Sequence, residues 1–280
     1  MDWYKAKKIL IIALIITNII LFGMIIHRSL ISQDRTTSSI FIKQVKSRLL
    51  EKGIKVDAKV PKSKISLPSL RVEFDSYSKL DLNERFFASR GKFQEPNNSF
   101  TQITFADEIL TVVNTRRLIY ENVNPKISSK SKMKAEEVAR KFLLDRNFDI
   151  SNMILVYSSS SDDETKLHFA KEFDGVILER SFIDFIIRGD TVISMDRLWL
   201  NVIDKSPNFV RLHSAPRALL TLLSEPDLTS KTITRIEECY YFDPEEQGYV
   251  EDITKATEGK ARAAWRIQFS DGESIEVESK

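Results

Sequence analysis

Residues 176–202 read "VILERSFIDFIIRGDTVISMDRLWLNV", and this stretch decides the fold class. Apolar residues occupy every second position from Ile183 to Ile187, a spacing typical of a half- to fully buried β-strand. The pair Gly189-Asp190 is a strong two-residue hairpin signal, and a second strand pattern follows it. The stretch therefore predicts two antiparallel strands that belong to a buried sheet.

A helix and two further strands precede this hairpin. In "KMKAEEVARKFLLDRNF" (132–148), apolar residues recur at the spacing of one helix face, from Ala135 to Leu143. The strand patterns "MILVYSS" and "TKLHFAKEF" come next, and Asp174-Gly175 marks the turn after them. We therefore predict a unit at 128–205 in which one helix is followed by an antiparallel meander.

The same order recurs at 212–280. "SAPRALLTLLSEP" predicts a helix that is capped by Ser214 and stops before Pro226. The strand patterns "KTITRIEECYYF" and "ARAAWRIQF" follow, and Asp271-Gly272 turns the chain into "ESIEVES". A looser version, with a helix at 36–53, is predicted for 36–125. The fold class is α+β, with helices laid on a curled antiparallel sheet.

The composition suits an ordinary folded protein. The chain has 280 residues, of which 42% are hydrophobic and 29% are charged, a length that fits one to three domains. Beyond residue 35 there are 37 basic and 38 acidic residues, a formal charge of −1. A near-neutral body lacks the basic footprint that nucleic-acid binding needs, so we predict no nucleic-acid partner.

The N-terminal segment predicts a single transmembrane helix at 9–26. These 18 residues carry no charge and would extend about 27 Å as a helix. No small-x-small cleavage site follows, which favours a retained anchor over a signal peptide. The membrane-interface residues expected on its N-terminal side are Trp3, Tyr4, Lys5, Lys7 and Lys8. We predict a cytoplasmic segment at 1–8 and a single-pass plasma-membrane protein whose main body is extracellular.

An amide in the middle of this segment suggests a contact with a second helix. Asn18 lies within the apolar run, and polar residues at such positions usually face protein. Ala13, Thr17 and Asn18 span about 140° of the helix at about 100° per residue. We predict that these three residues contact a partner helix. The alternative is that Asn18 hydrogen-bonds only within its own helix or reaches toward the interface.

The sequence offers no recognisable catalytic, metal or cofactor site. Its one cysteine, Cys239, excludes an internal disulfide, and the three histidines show no zinc-ligand spacing. No phosphate-binding glycine loop and no hydrolase signature is present. The acidic clusters "SDDET" (161–165) and "DPEEQG" (243–248) could in principle act as paired carboxylates, but their Ser, Pro and Gly neighbours favour solvated turns. We predict that Cys239, Trp199 and Trp265 are packed core residues. The protein is predicted to be non-enzymatic, without cofactor or metal.

Several segments together resemble the YycI family of Gram-positive bacteria. They are the opening "MDWYKAKKILIIALIITNIILF", then "LLEKGIKVDAKVP" (49–61), "FIIRGDTVISM" with the following "LWL", and the closing "AAWRIQFSDGESIEV". The region 80–130 departs most from the family. The resemblance runs nearly end to end, and Met-Asp-Trp at the start is its most distinctive part.

The resemblance implies a regulatory role. Members of the family act with a related YycH protein on the WalK sensor histidine kinase, which governs cell-wall metabolism, and their bodies resemble YycH domains. The implied partners are a WalK-like kinase and a YycH-like protein. The implied contacts are made through transmembrane and extracellular surfaces, and the assembly allows homo- or heterodimers. The residues themselves leave two alternative functions open. One is a bitopic scaffold of the wall-synthesis or division machinery, and the other is an anchored wall hydrolase.

Overall fold

The computed structural model describes residues 3–31, 35–97, 99–127, 133–161, 163–244 and 257–278. Five α-helices lie in these ranges: α1 (Trp3–Ile31), α2 (Ser39–Glu51), α3 (Lys79–Phe87), α4 (Ala135–Leu144) and α5 (Ala215–Thr221), with a short 3-10 turn at Arg35–Thr37. The first seven strands are β1 (Lys55–Val56), β2 (Ser66–Phe74), β3 (Lys92–Asn97), β4 (Phe100–Phe105), β5 (Glu108–Val113), β6 (Arg117–Asn122) and β7 (Met153–Ser161). The others are β8 (Glu164–Phe173), β9 (Val176–Arg188), β10 (Thr191–Leu198), β11 (Leu200–Arg211), β12 (Thr232–Tyr241), β13 (Glu258–Phe269) and β14 (Ser274–Glu278).

The strands of the described chain form one 14-stranded sheet. Its main path runs β11-β2-β13-β12-β9-β10-β6-β5-β4-β3, with β1 on β12, β14 on β13, and the β7–β8 hairpin on β9. The β1–β12 and β12–β9 pairs are parallel, and the other described pairs are antiparallel. The hairpin predicted from residues 176–202 is present, with Arg188 opposite Thr191. The α+β class is therefore confirmed.

The first core lies between helices α3 and α4 and one face of the sheet. The apolar residues predicted on that face of β9, Ile183, Phe185 and Ile187, are all buried. Phe185 meets Phe142 of α4 edge to face, with ring centroids 6.0 Å apart. The period-2 stripe of the strand and the period-3.6 stripe of the helix thus face each other, as amphipathic elements require.

The second core lies between helices α2 and α5 and strands β12 to β14. Val45 and Leu49 of α2 pack with Leu219 of α5 and with Trp265 and Ile267 of β13. In consequence α2 and β1 pack with the C-terminal strands, whereas β4 to β6 pack with the first core. The predicted unit boundaries at 36–125, 128–205 and 212–280 stay predictions.

Strand β9 connects the two halves of the sheet. Its first residues pair with β12 and its last with β10. On the β8 side, Leu178 lies opposite Lys171 and Phe182 opposite Ala170, so residues 179–181 bulge out of the ladder. Arg180 has a φ of +70° there, a conformation that favours glycine. The bulge bends β9 and lets one strand serve both halves.

The predicted transmembrane helix at 9–26 is wrong. Among the residues that the structure describes, no helix has both the length and the apolar character needed to cross a membrane. A crossing takes about 20 apolar residues to span about 30 Å of hydrocarbon. The extracellular position of the body stays a prediction.

Candidate functional site

The three residues predicted to contact a partner helix lie together on α1. Ala13, Thr17 and Asn18 are exposed. The Thr17 hydroxyl donates to the Ala13 carbonyl at 2.9 Å, so its hydrogen-bonding need is met within the helix. A contact between this group and another protein stays a prediction.

The predicted interface residues lie at the start of the same helix. Trp3, Lys7 and Lys8 are exposed on it. The side chains of Tyr4 and Lys5 lie outside the described residues.

The single thiol is inaccessible. Cys239 is fully buried among Val156, Ala170, Ile177 and Ala264. Burial raises the pKa of the Cys239 thiol well above its ordinary value, and nearby Glu179 raises it further. Because the thiolate is the reactive form, this cysteine acts as a small packed hydrophobe, as its sequence context predicted.

In the two acidic clusters, Glu164 and Asp243 lie close to arginines, and Asp163 is exposed. Glu164 accepts from Arg188 Nε at 2.8 Å. Asp243 accepts from the Tyr241 hydroxyl at 3.1 Å and lies 3.9 Å from Arg180. Asp162, Glu245 and Glu246 of these clusters fall outside the described residues. Over the described ranges, no group of three or more His, Cys, Asp or Glu side chains is placed to hold a metal.

A groove with a basic rim lies between α2 and the segment before β2, and we name it the lysine groove. It encloses about 920 Å³. Its lining includes the apolar residues Ile42, Ala58, Val60, Pro61 and Ile65, together with Lys46, Lys59, Lys62, Ser63 and Glu238.

Two of the groove lysines form hydrogen bonds across it. Lys46 Nζ donates to the carbonyls of Val56 and Ala58 at 2.9 and 3.2 Å, and Lys62 Nζ donates to Ser39 Oγ at 3.0 Å. Three lysines against the one carboxylate of Glu238 leave the rim positive, while the floor is apolar. This arrangement suits a segment that carries both apolar and acidic side chains.

A second concavity, the junction cavity, lies where α3 and the end of β2 meet β10 and β11. It encloses about 310 Å³. Its lining residues are Asp75, Ser76, Tyr77, Asp81, Arg85, Asn147, Phe148, Asp149, Arg197, Trp199 and Asn201.

A buried guanidinium forms one wall of the junction cavity. Arg197 is 2% exposed, and its Nη2 donates to Asp75 at 3.2 Å while Nη1 donates to the Tyr77 hydroxyl. The guanidinium lies 4.7 Å from the Phe148 ring centre and 5.4 Å from that of Trp199. Burial raises the pKa of the Tyr77 hydroxyl, with Arg197 opposing this effect, so the tyrosine stays neutral.

A second buried cation lies behind the same tryptophan. Lys171 is 8% exposed, and its Nζ donates to the Leu200 carbonyl at 2.8 Å and to Asn201 Oδ1 at 3.0 Å. Burial lowers the pKa of Lys171, whereas Asp75 and Asp149 raise it. The wall of the cavity thus holds two buried cations close to the carboxylates that line it.

A third ionic group lies at the β9 bulge. Arg266 on β13 is 1% exposed and donates to Glu179 at 2.5 Å and to Glu237 at 3.2 Å. Burial raises the pKa of Glu179, Glu276 raises it further, and Arg266 lowers it. The group joins three strands from both halves of the sheet and is structural rather than open to a ligand.

Sequence reasoning did not identify these ionic residues. One signal was present for Arg197, because it alternates with Met195 on β10 and with Trp199 just after the strand, and all three residues are buried. A charged residue within a buried stripe predicts a paired or ligand-binding side chain. The lysines of the groove carried no such signal, since they look like ordinary solvated charges.

Comparisons with known proteins support the fold only. No protein-family model matches the chain. No curated protein matches it either. The crystal structure of YycH from Bacillus subtilis is similar, with a TM-score of 0.50 and 14% identity over 76% of this chain and 56% of that chain.

Two further solved structures are similar. An uncharacterized protein from Eubacterium rectale has a TM-score of 0.50 and 10% identity over 84% of this chain and 94% of its own. The C-terminal domain of YpeB from Bacillus megaterium has a TM-score of 0.33 and 11% identity over 86% of this chain and 98% of its own. The YycH structure confirms the predicted likeness to YycH for the fold, and membership of the YycI family stays a prediction.

Proposed function

We propose that this protein is a non-catalytic regulatory protein that acts in a sensor histidine kinase complex, together with a YycH-like protein, in the control of cell-wall metabolism. The observation that carries the proposal is the fold shared with YycH over 76% of the chain. The resemblance of the N-terminal, hairpin and C-terminal segments to the YycI family supports the same role. The buried thiol and the ion-paired acids fit a binding protein rather than an enzyme.

The lysine groove is the surface that we assign to the partner. Its apolar floor offers area to bury, and burial of apolar surface contributes about 25 cal/mol per Å². Its positive rim favours acidic side chains flanking the apolar ones and sets the orientation of the bound segment. The expected occupant is therefore an acidic and apolar segment of the kinase or of the YycH-like protein.

Site-specific crosslinking tests this assignment. A photo-reactive residue at position 62, on the rim, should form adducts with a sensor kinase or a YycH-like protein in cells, identified by mass spectrometry. The matched control is position 166, another exposed lysine, on β8 and outside the groove lining. Adducts of equal yield at both positions would refute the groove as the docking surface.

The regulatory role itself needs a separate measurement. The full chain should co-purify with a sensor kinase or a YycH-like protein after crosslinking and mild detergent extraction. Deleting the gene should change transcription that depends on that kinase. If neither protein is recovered and the transcription is unchanged, the proposed function is wrong.

A further inference from the structure

Six neighbouring strands, β8-β9-β10-β6-β5-β4, carry helices on one face only within the described chain. That face holds the first core, where α3 and α4 pack. Residues on the other face alternate with the buried ones and are half-buried or exposed. We name this surface the open face, and it is the outward side of residues 166–168, 182–186, 194–198, 117–121, 109–113 and 100–104.

The open face holds more apolar surface than a solvated sheet needs. Ile109, Val113, Ile119, Phe182 and Ile186 are half-buried on it, and none of the five belongs to a core cluster of the described chain. An antiparallel sheet that faces water on one side normally carries polar residues there. Exposed apolar surface with polar surroundings marks an interaction surface.

The acidic residues at the centre of the open face are paired, so a partner can cover them. Asp184 lies 2.6 Å from His168 Nδ1, and Asp196 accepts from Arg117 Nε at 2.8 Å. Covering a carboxylate that already has a partner avoids the penalty of burying an unpaired charge.

We propose that the open face packs against the open face of a second copy of this chain, about a two-fold axis that runs along the strands between β10 and β6. Strands β9 and β5 lie at equal distances on the two sides of that axis. Ile186 of β9 and Ile109 of β5 lie in one row across the sheet, linked through Ser194 and Glu121. The rotation therefore brings Ile186 of one copy opposite Ile109 of the other.

The other rows match in the same way. Asp184 and Thr111 share the next row, and the rotation places these two polar residues opposite each other. Phe182 and Val113 lie two residues further along β9 and β5, so an aromatic residue meets an aliphatic one. Apolar residues thus face apolar residues, and polar residues face polar ones. This self-complementarity is what a two-fold interface requires.

The size of the open face favours a second sheet over a single helix. Six strands at about 4.8 Å and five residues at about 3.4 Å give a footprint of about 29 by 17 Å. Two such footprints bury about 1,000 Å² in total, the lower limit for a specific interface. A helix about 10 Å wide covers about two of the six strands. It would leave either Ile186 or Ile109 uncovered, whereas a second sheet covers both.

Sedimentation of the purified full chain in mild detergent tests the proposal. An interface near the lower size limit indicates a dissociation constant on the order of 10 µM, so dimers should dominate at about 100 µM. Ile109→Lys and Ile186→Asp each place an unpaired charge in the interface twice and should weaken self-association at least about tenfold. The control is Ile16→Lys, at an exposed apolar residue of α1, and it should dimerise like the unaltered chain.

Two further measurements test the register. In a mixed dimer of the two charged variants, the new lysine of one copy lies opposite the new aspartate of the other, so an equimolar mixture should form dimers that neither variant forms alone. A photo-reactive residue at position 109 should form adducts with residues 184–188 of a second copy. Within one chain β5 and β9 are three strand spacings apart, about 14 Å, so such adducts join two copies.

Four results would overturn the proposal. They are an unaltered chain that stays monomeric at about 100 µM, loss of dimers in Ile16→Lys but not in Ile109→Lys, a mixture that stays monomeric, and adducts at position 109 with other proteins only. Circular dichroism checks the fold of each variant, and the adducts need no charged substitution, so they decide the question even where a variant unfolds. No kinase is present in the sedimentation experiment, so its result is independent of the proposed function.

Discussion

Replacing Arg266 with methionine should destabilise the fold strongly, because it leaves a buried carboxylate without its cation. The Arg266 side chain is 1% exposed, and that of its partner Glu179 is 13% exposed. Nε of the arginine lies 2.5 Å from the glutamate, and a second bond of 3.2 Å reaches Glu237. Methionine fills a similar volume but cannot donate a hydrogen bond. The stability is therefore lost through electrostatics and not through a new cavity.

The decrease in the free energy of unfolding is set by the least costly way in which the folded protein can remove the unpaired charge of Glu179. Breaking a buried pair by removing one partner typically costs about 3–5 kcal/mol. Glu179 can instead take up a proton, and at pH 7 neutralising a glutamate of ordinary pKa near 4.3 costs about 3.7 kcal/mol, at 1.36 kcal/mol per pH unit. We therefore expect the free energy of unfolding to fall by about 3–4 kcal/mol at pH 7.

The destabilisation of the Arg266→Met variant should be smaller at acidic pH. Burial and Glu276 already raise the pKa of Glu179 in the folded protein, and removing Arg266 raises it further. An acid whose folded pKa exceeds its unfolded pKa makes the folded state bind more protons, so the stability of the variant rises as the pH falls toward the unfolded value. At pH 5 the cost of neutralisation is about 1 kcal/mol.

Urea unfolding followed by circular dichroism at pH 7 and pH 5 measures both effects. The control is Arg262→Met on the same strand, where the side chain is 49% exposed and pairs with Glu278 at 3.4 Å. An exposed pair is worth about 0–1 kcal/mol, and the control should show no more than that. The double variant Arg266→Met/Glu179→Gln should recover part of the stability. A deficit under about 1 kcal/mol, or one that is equal at both pH values, would refute the reasoning.

Three further predictions concern the turn after β13 and the core. Gly272→Ala should lower stability by about 1–3 kcal/mol in thermal unfolding, since φ is +93° and the new Cβ would lie 2.6 Å from a ring atom of Tyr157; an unchanged melting temperature would contradict the close approach. Cys239 should resist thiol reagents in the native protein and react fully in urea, and rapid native labelling would show that the thiol is not buried. Trp265→Phe removes the indole donor that bonds the His213 carbonyl at 2.8 Å and should cost about 1–3 kcal/mol, whereas a loss within error would mean that water replaces the bond.

The sequence predicted well those features that depend on neighbours along the chain. The Gly189-Asp190 turn joins strands whose pairing starts at Arg188 and Thr191. The apolar stripe of α4 is buried at Val138 and Leu143, as its helical spacing indicated. Periodicity and turn chemistry act over a few residues, so they can be read without the rest of the fold.

The prediction of a transmembrane helix from the local sequence was wrong. The uncharged run at 9–26 is long enough for a membrane span, and the prediction depended on its composition alone. Over the described residues, no helix of the structure meets the same requirement. The predicted contact group of Ala13, Thr17 and Asn18 lies on one exposed helix, and its partner stays a prediction.

By itself, the sequence determined the α+β class, the helices α2, α4 and α5, the hairpin at Gly189-Asp190 and the buried character of Cys239, but it did not predict α3 or β3. Only the tertiary structure decided which charged residues matter. Arg197 meets Tyr77 and Asp75 across 120 and 122 residues of chain, and Arg266 meets Glu179 across 87. The reason is physical: the cost of burying a charge depends on which partners the folded sheet brings within hydrogen-bond distance, and no local pattern encodes that distance.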